Sequence, residues 1–392
     1  MVVTIVADVL GAENNGTTVA CMNLVRYLKE RGDTVKIVCC DQDKKDLPGY
    51  YVVPNLNLGP IINWAVKKNG VTLAKPVRSI IEKAIEGSDV VHCMIPFALS
   101  KKAAKICREK DIPITAGFHM QAENFTAHLF LMNCGIANYL VYQNIYRKFY
   151  KYVDAIHYPT KFIKNVFENA IERRTNAYVI SNGVNDRFIH KNIEKPAELK
   201  DKFVILSTGR YSKEKAQQVL IKAVKYSKHK DKIQIILAGD GPKKDQYKKL
   251  SDKYCPNGVM MNFYGRDEIV DVINYSDLYC HTAVCELEGI ACLEALKCGL
   301  VPVIANSNRC ATKSFAKDEK CLFKANSSKD LAKKIDFWIE HPELREEYKQ
   351  YYINSSSIYN QRQCMEQTRE MLLEAIRCRK NKTEKSYITA MN

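Results

Sequence analysis

The sequence predicts an α/β protein made of two doubly wound parallel-sheet domains that face a cleft. Three observations carry that prediction. The chain has 392 residues, more than one hydrophobic core usually supports. Short apolar runs alternate with amphipathic helical stretches, the pattern of a parallel sheet covered on both faces. The alternation stops in a polar, charge-rich passage over residues 182–202 and then restarts.

In the first half the pattern predicts a strand over Val2 to Val9, a helix over Gly16 to Lys29 and a strand over Val35 to Cys40. Next come a strand over Val90 to Met94, a helix over about Phe97 to Lys110, and strands over Ile114 to Phe118 and Ala155 to Tyr158. In the second half, strands are predicted over Phe203 to Thr208, Gln234 to Ala238, Val259 to Tyr264, Leu278 to His281 and Val301 to Ala305. Helices are predicted near Lys213 to Ser227 and over about Ile290 to Cys298. The expected domains are residues 1–184 and 185–355, with residues 356–392 forming a last helix that crosses back to the first domain and ends in a basic tail.

Composition narrows the class. Lys plus Arg number 60 against 44 Asp plus Glu, a net charge of +16 that favours polyanions or anionic surfaces. Hydrophobic residues make up 46%, yet no window reaches the roughly eighteen uninterrupted apolar residues of a membrane span. Met1 to Val9 reads as a strand without a leader's basic region or cleavage site, so a cytoplasmic protein is expected. The 15 cysteines show no Cys-x-x-Cys and no zinc spacing, and read as small core residues.

Chemistry concentrates in the second domain. Gly209 and Arg210 follow a buried strand directly, and Lys215 comes five residues later. Two cations and a glycine turn at a strand's C-terminal end suit a diphosphate clamp; taken alone, they read more readily as solvated surface charges. Glu286 and Glu294 are eight residues apart, about 12 Å of helical rise, so they are not an acid/base pair on one helical face. Glu286 is expected in the loop before the helix and Glu294 a turn inside it. Gly289 between them would allow a ligand close to exposed backbone N–H groups, with each carboxylate accepting from hydroxyls at one end of an extended ligand.

The run from Glu286 to Gly299 resembles the Glu-x7-Glu signature of retaining glycosyltransferases of the two-Rossmann-domain (GT-B) architecture, family 4. Other segments extend the resemblance over most of the chain: Asn15-Gly16, Phe118-His119, Ser181-Asn182-Gly183-Val184-Asn185, Gly209-Arg210 with Glu214-Lys215, and Ala238-Gly239-Asp240-Gly241-Pro242. It implies that Gly16 presents backbone to the donor and that His119 contacts the donor sugar near its anomeric end. Arg210 and Lys215 would hold the diphosphate. Glu286 would bind sugar hydroxyls, Gly289 and Ile290 would offer N–H groups, Glu294 would take the ribose hydroxyls, and Gly265 and Arg266 would lie beside the base.

Two positions depart from the family pattern: Ala216 replaces a usual glycine and Glu288 a usual aromatic. The run through Glu294-Ala295, with Pro302 to Ser307 and Ala311-Thr312, resembles the diacylglycerol glucosyltransferase branch, which implies UDP-glucose as donor. The resemblance also implies retention of anomeric configuration by front-side attack, with the departing phosphate oxygen taking the acceptor's proton. No required metal or cofactor is expected, because Asp41-Gln42-Asp43 sits in a Lys-rich loop without supporting ligands and reads as a solvated turn.

Two basic-aromatic stretches in the first domain suit an anionic membrane surface and a lipid acceptor: Asn63 to Lys68, followed by Lys75 and Arg78, and Tyr142 to Tyr152. The second could equally be an ordinary amphipathic helix. Within the enzyme class, a soluble acceptor is the main alternative. A nucleic-acid-binding module would want an RNP or Gly-x-x-Gly loop, and neither is found. A nicotinamide enzyme would want Gly-x-Gly-x-x-Gly after the first strand, which Gly11 to Gly16 does not supply.

Overall fold

A computed structural model of the chain describes residues 1–8, 10, 16–57, 59, 72–127 and 131–391, with side chains to 381. It forms two compact units. The first holds Met1–Asn182 and the chain from Arg362 onward, and the second holds Gly183–Gln361. The border thus falls two residues before the expected Val184, and the return to the first unit begins six residues later than expected.

The first unit is built on seven parallel strands: β1 (Val2–Val6), β2 (Thr34–Cys39), β3 (Tyr50–Val52), β4 (Val90–Cys93), β5 (Ile114–Gly117), β6 (Ala155–Tyr158) and β7 (Ala177–Val179), in the order 3-2-1-4-5-6-7. Val3 pairs with Val35 on one side and Val90 on the other. β4, β5 and β6 are buried along their whole length because helices cover both faces. The C-terminal helix, Gln361–Met391, supplies Cys364, Met365, Met371, Leu372 and Ile376 to the core that holds Val3, Ile5, Leu24 and Leu28. Arg369 Nε donates to Asp33 Oδ2 at 2.7 Å, and the Met1 ammonium donates to Asp33 Oδ1 at 2.9 Å. Burial acts to raise the Asp33 pKa, but the two cations outweigh it and hold the carboxyl below its usual range.

The second unit has six parallel strands: β8 (Phe203–Thr208), β9 (Ile233–Ala238), β10 (Val259–Asn262), β11 (Leu278–His281), β12 (Pro302–Asn306) and β13 (Leu322–Lys324), in the order 10-9-8-11-12-13. In each unit the strand order reverses once, between β1 and β4 and between β8 and β11. A doubly wound sheet binds ligands at that reversal, beyond the strands' C-terminal ends.

Both sheets are doubly wound, as the alternation predicted, but local limits differ. The first strand stops at Val6, short of the predicted Val9, which lies outside the described residues. The helix expected from Lys213 begins only at Gln218, because Ala216 turns the backbone left-handed at φ 52°. The edge strands β3, β7 and β13, three residues each, give too short a pattern to read. Twelve of the 15 cysteines are buried and all are free thiols. Among the described residues no helix is long and apolar enough to cross a membrane.

Candidate active site

In the second unit the strand reversal brings together the loop after β8 and the loop after β11. Gly209, at φ 129°, turns the chain out of β8 and leaves Arg210 exposed. The loop is held from several sides. Gln217 Nε2 donates to the Arg210 carbonyl at 3.0 Å, and Tyr247 Oη donates to Gln217 Oε1 at 2.9 Å. Tyr211 donates its N–H to the Asp240 carbonyl at 2.9 Å and its hydroxyl to the Leu237 carbonyl at 2.7 Å. Gly239 and Gly241 lie against this loop so closely that a Cβ would stand 2.2 Å from the Gly209 oxygen and 2.6 Å from the Tyr211 oxygen respectively. The glycines after β9 therefore serve close packing of the clamp loop.

Lys215 Nζ donates to Glu286 Oε2, so the two predicted loops meet through an ion pair. Backbone bonds fix both partners. Thr282 Oγ1 donates to the Lys215 carbonyl at 2.7 Å, and Val284 N to the Glu214 carbonyl at 2.8 Å. Glu286 donates its N–H to Arg309 at 3.1 Å and accepts from Ala311 N at 2.9 Å. Burial disfavours both charges, yet each stabilises the other: the Lys215 pKa is held up and the Glu286 pKa is held down. His281, at the end of β11, places Nε2 3.9 Å from Glu286 Oε2. Burial pushes its pKa down to about 4, so it faces the pair as a neutral imidazole.

Gly289 caps the helix Ile290–Lys297 at φ 88°, and a Cβ there would stand 2.2 Å from Thr312 Cγ2. Cys292 N and Leu293 N donate to the Gly289 carbonyl at 2.9 and 3.1 Å, while the N–H groups at the very start of the helix, Ile290 and Ala291, precede any intrahelical acceptor and suit an anion or hydroxyl. One turn in, half-buried Glu294 has its pKa pushed up to about 8 by burial, which Arg187 opposes only in part. If Glu294 accepts hydroxyl hydrogen bonds as an anion, ligand binding must expel its proton. UDP affinity should then rise with pH, by up to about tenfold per unit, and level off above about 8. Calorimetry in buffers of different ionisation heat should detect the released proton, and Glu294→Gln should abolish that component.

Gly265 and Arg266 follow the edge strand β10, two strands or about 10 Å from β8. The Gly265 N–H donates to Glu268 Oε2 at 2.8 Å, at the start of the next helix, Glu268–Tyr275. The second unit thus gathers Arg210, Lys215, Glu286, Gly289, Ile290 and Glu294 at the reversal and puts Gly265 and Arg266 at the sheet's edge.

Gly16 and His119 belong to the first unit. Gly16 opens the helix Gly16–Glu30, and Asn15 lies outside the described residues. The His119 ring covers Gly117, where a Cβ would stand 2.4 Å from His119 Nε2; that nitrogen is buried without a partner. Burial and the neighbouring His157 and His92 keep the ring neutral. Sequence reasoning missed His281, Gln217, Tyr247 and Arg187. Only Arg187 carried a signal, following the Asn182-Gly183-Val184 motif by three residues.

Ala216, the departure from the family's glycine, is buried in its left-handed turn. That conformation costs an L-residue ~1–2 kcal/mol, more than the ~0.4–1 kcal/mol of unfolded-state entropy a glycine adds. Ala216→Gly should therefore stabilise the second unit by about 0.5–1 kcal/mol, visible as a higher melting temperature.

The Asp-x-Asp motif is engaged in local structure. Asp41 Oδ2 accepts from Leu10 N at 2.7 Å, and Asp43 pairs with Lys44 at 3.4 Å. The stretch Asn63 to Lys68 lies outside the described residues. The other basic-aromatic stretch differs from the expected membrane face: Tyr142, Ile145, Phe149 and Tyr150 are buried. Tyr142 and Tyr150 pack around Phe118 and Phe167, at 5.2 Å between the Phe118 and Tyr150 rings. Their aromatic surface is spent on the core.

Two doubly wound units, one carrying a Lys-Glu pair and a glycine-capped helix at its strand reversal, define a GT-B glycosyltransferase fold. Family models agree: residues 14–188 match Glycosyltransferase Family 4, and residues 188–355 match Glycosyl transferases group 1. The chain belongs to these family 4, group 1 glycosyltransferases.

The likeness to the diacylglycerol glucosyltransferase branch is borne out by an alpha-monoglucosyldiacylglycerol synthase of Streptococcus pneumoniae. It is 26% identical over 239 residues, 56% of this chain and 52% of that protein. The chain thus spans about half the length of that curated relative. The Anabaena protein Alr3699/HepE, solved in complex with UDP-glucose, shares the fold with TM-score 0.74 at 17% identity, over 95% of this chain and all of that one. The catalytic domain of the Helicobacter pylori cholesterol-alpha-glucosyltransferase is 44% identical over 40% of this chain and 99% of that chain, with TM-score 0.39.

Proposed function

We propose that this protein is a retaining hexosyltransferase that moves glucose from UDP-glucose to a membrane lipid such as diacylglycerol, working at the inner face of the cell membrane. The observation that carries the reading is the Lys215–Glu286 pair at the strand reversal, with Arg210 on the same loop as Lys215. It offers cations for a diphosphate and an ionised carboxylate for sugar hydroxyls within one small region. The Streptococcus relative's name and the UDP-glucose bound to the Anabaena protein support the lipid and the donor.

In this reading the acceptor hydroxyl oxygen bonds to the anomeric carbon as the bond from that carbon to the diphosphate oxygen breaks. The diphosphate leaves with the electron pair, and its departing oxygen takes the hydroxyl proton. Arg210, Lys215 and the N–H groups of Gly289 and Ile290 stabilise the charge that develops on the leaving group, while Glu286 and Glu294 fix the donor. In this reading the two cations supply the positive charge that a divalent metal could otherwise offer a diphosphate, so chelators should leave turnover unchanged.

The test incubates the protein with a panel of UDP- and GDP-sugars, with vesicles containing diacylglycerol, a sterol or neither. UDP-glucose consumption with appearance of a glucosylated diacylglycerol is the expected result. Transfer only to a soluble acceptor would overturn the lipid assignment, and no use of any nucleotide sugar would overturn the enzyme.

A further inference from the structure

The helix Gly135–Lys148 buries Asn138, Tyr142 and Ile145 and turns its other face outward. On that outer face Ile136, Tyr139 and Leu140, at the i, i+3, i+4 spacing of one helical stripe, are exposed, Ile136 at 75% and Leu140 at 59%. Phe125, on the preceding helix Ala122–Ala127, and Leu131 are exposed as well. Among the described residues of the first unit's Met1–Asn182 segment, five of the seven exposed large hydrophobics thus lie from Phe125 to Leu140.

The stripe changes character along the axis. Arg147 and Lys148 end the same helix exposed, about 18 Å from Ile136. Lys151 follows, and Lys101 lies close enough to feel the Lys148 charge. Glu123 is the only acidic residue from 122 to 152, and it is buried.

The apolar end is rigidly built. Thr126 Oγ1 donates to Asn138 Oδ1 at 2.6 Å, Asn138 Nδ2 to the Met132 carbonyl at 3.1 Å, and Tyr142 Oη to Glu123 Oε2 at 2.8 Å. A buried polar network of this kind fixes the helix pair, so the five side chains are held out in water on a stable platform.

We infer that this helix docks end-on into an anionic lipid bilayer: Phe125, Leu131, Ile136, Tyr139 and Leu140 enter the acyl boundary, and Arg147, Lys148, Lys151 and Lys101 meet headgroup phosphates. Charge complementarity selects the occupant. A bilayer of anionic lipids presents an apolar layer beneath a negative one, in the order that this helix runs from apolar to cationic. A second copy of the chain would bring the like charges of Arg147, Lys148 and Lys151 to the contact. The inference deepens the proposed function, resting on it only for the lipid nature of the acceptor, and it moves the membrane face away from the buried aromatics of Tyr142 to Tyr152.

Flotation with phosphatidylcholine vesicles, with and without phosphatidylglycerol, tests it on the full chain. Wild-type protein should bind the anionic vesicles, and both Ile136→Ser with Leu140→Ser and Arg147→Glu with Lys148→Glu should lower binding about tenfold or more. All four positions are exposed, so circular dichroism and UDP binding should match wild type. Equal flotation of the variants, or no flotation of wild type, would overturn the inference. So would a variant that turns a dimer into a monomer without loss of flotation, since the face would then join two copies. UDP-glucose hydrolysis in the absence of lipid, followed in the same samples, reports separately on the enzymatic reading. Its failure alongside intact flotation would sink that reading and leave the docking face standing.

Discussion

Lys215→Ala lowers kcat about 10²–10³-fold, the loss typical when one preorganised group facing developing charge is removed. In the proposed reading the lysine supplies a cation beside the leaving diphosphate, and it also holds Glu286 ionised in a half-buried pair. Without it the Glu286 carboxyl keeps neutral His281 and the Leu287 N–H but no full cation in contact, so its pKa rises and the grip proposed for it on sugar hydroxyls should weaken. Glu286→Gln keeps the shape and loses the charge, and should cost turnover on the same scale. Because the two side chains act through one contact, the double variant should be little worse than the worse single one. Steady-state kinetics on the three proteins checks this. Strictly additive losses would mean that the pair is not a unit.

Gly239→Ala should be the most damaging change outside the pair. Its Cβ would stand 2.2 Å from the Gly209 oxygen and 2.9 Å from the Gly209 carbon, both backbone atoms, at φ 157°. No rotamer can relieve a clash between backbones, so either β9 or the clamp loop must move. Strain of about 2–3 kcal/mol lowers the second unit's melting temperature by on the order of 5–10 °C. Displacing Gly209 and Arg210 also raises KM for the donor, because an ångström of misplacement can cost ~100-fold. Gly258→Ala is the control. Gly258 is also left-handed, at φ 69°, but has nothing within 4 Å of a new Cβ, so it should lose stability without loss of donor binding. Calorimetry and kcat/KM on both variants separate strain from displacement.

The fold was legible in the sequence because a buried parallel strand is a short apolar run and its crossover helix is amphipathic. β6, β8 and β11 fall where they were expected, residue for residue. The three-residue edge strands were not legible, since three residues define no period. The loop from Gly209 to Gln217 was misread as partly helical because one left-handed alanine looks like any other helix former in sequence.

Residue types and spacing made Arg210, Lys215, Glu286 and Glu294 candidates, and the family resemblance assigned them to a nucleotide-sugar site. They could not reveal that Lys215 and Glu286, 71 residues apart, share a hydrogen bond. Nor could they show that Tyr247 braces the loop through Gln217. The basic-aromatic stretch from Tyr142 to Tyr152 shows the opposite failure. Composition cannot say which side of a helix an aromatic takes, and the inner side won for Tyr142, Phe149 and Tyr150.

The central claim is that the Lys215–Glu286 region grips a nucleotide sugar, and equilibrium binding of UDP-glucose by calorimetry tests it most directly. Saturable one-site binding by wild-type protein, weakened at least tenfold in Lys215→Ala with the fold unchanged, is the predicted result. No binding by wild type, or equal binding by both proteins, would contradict it.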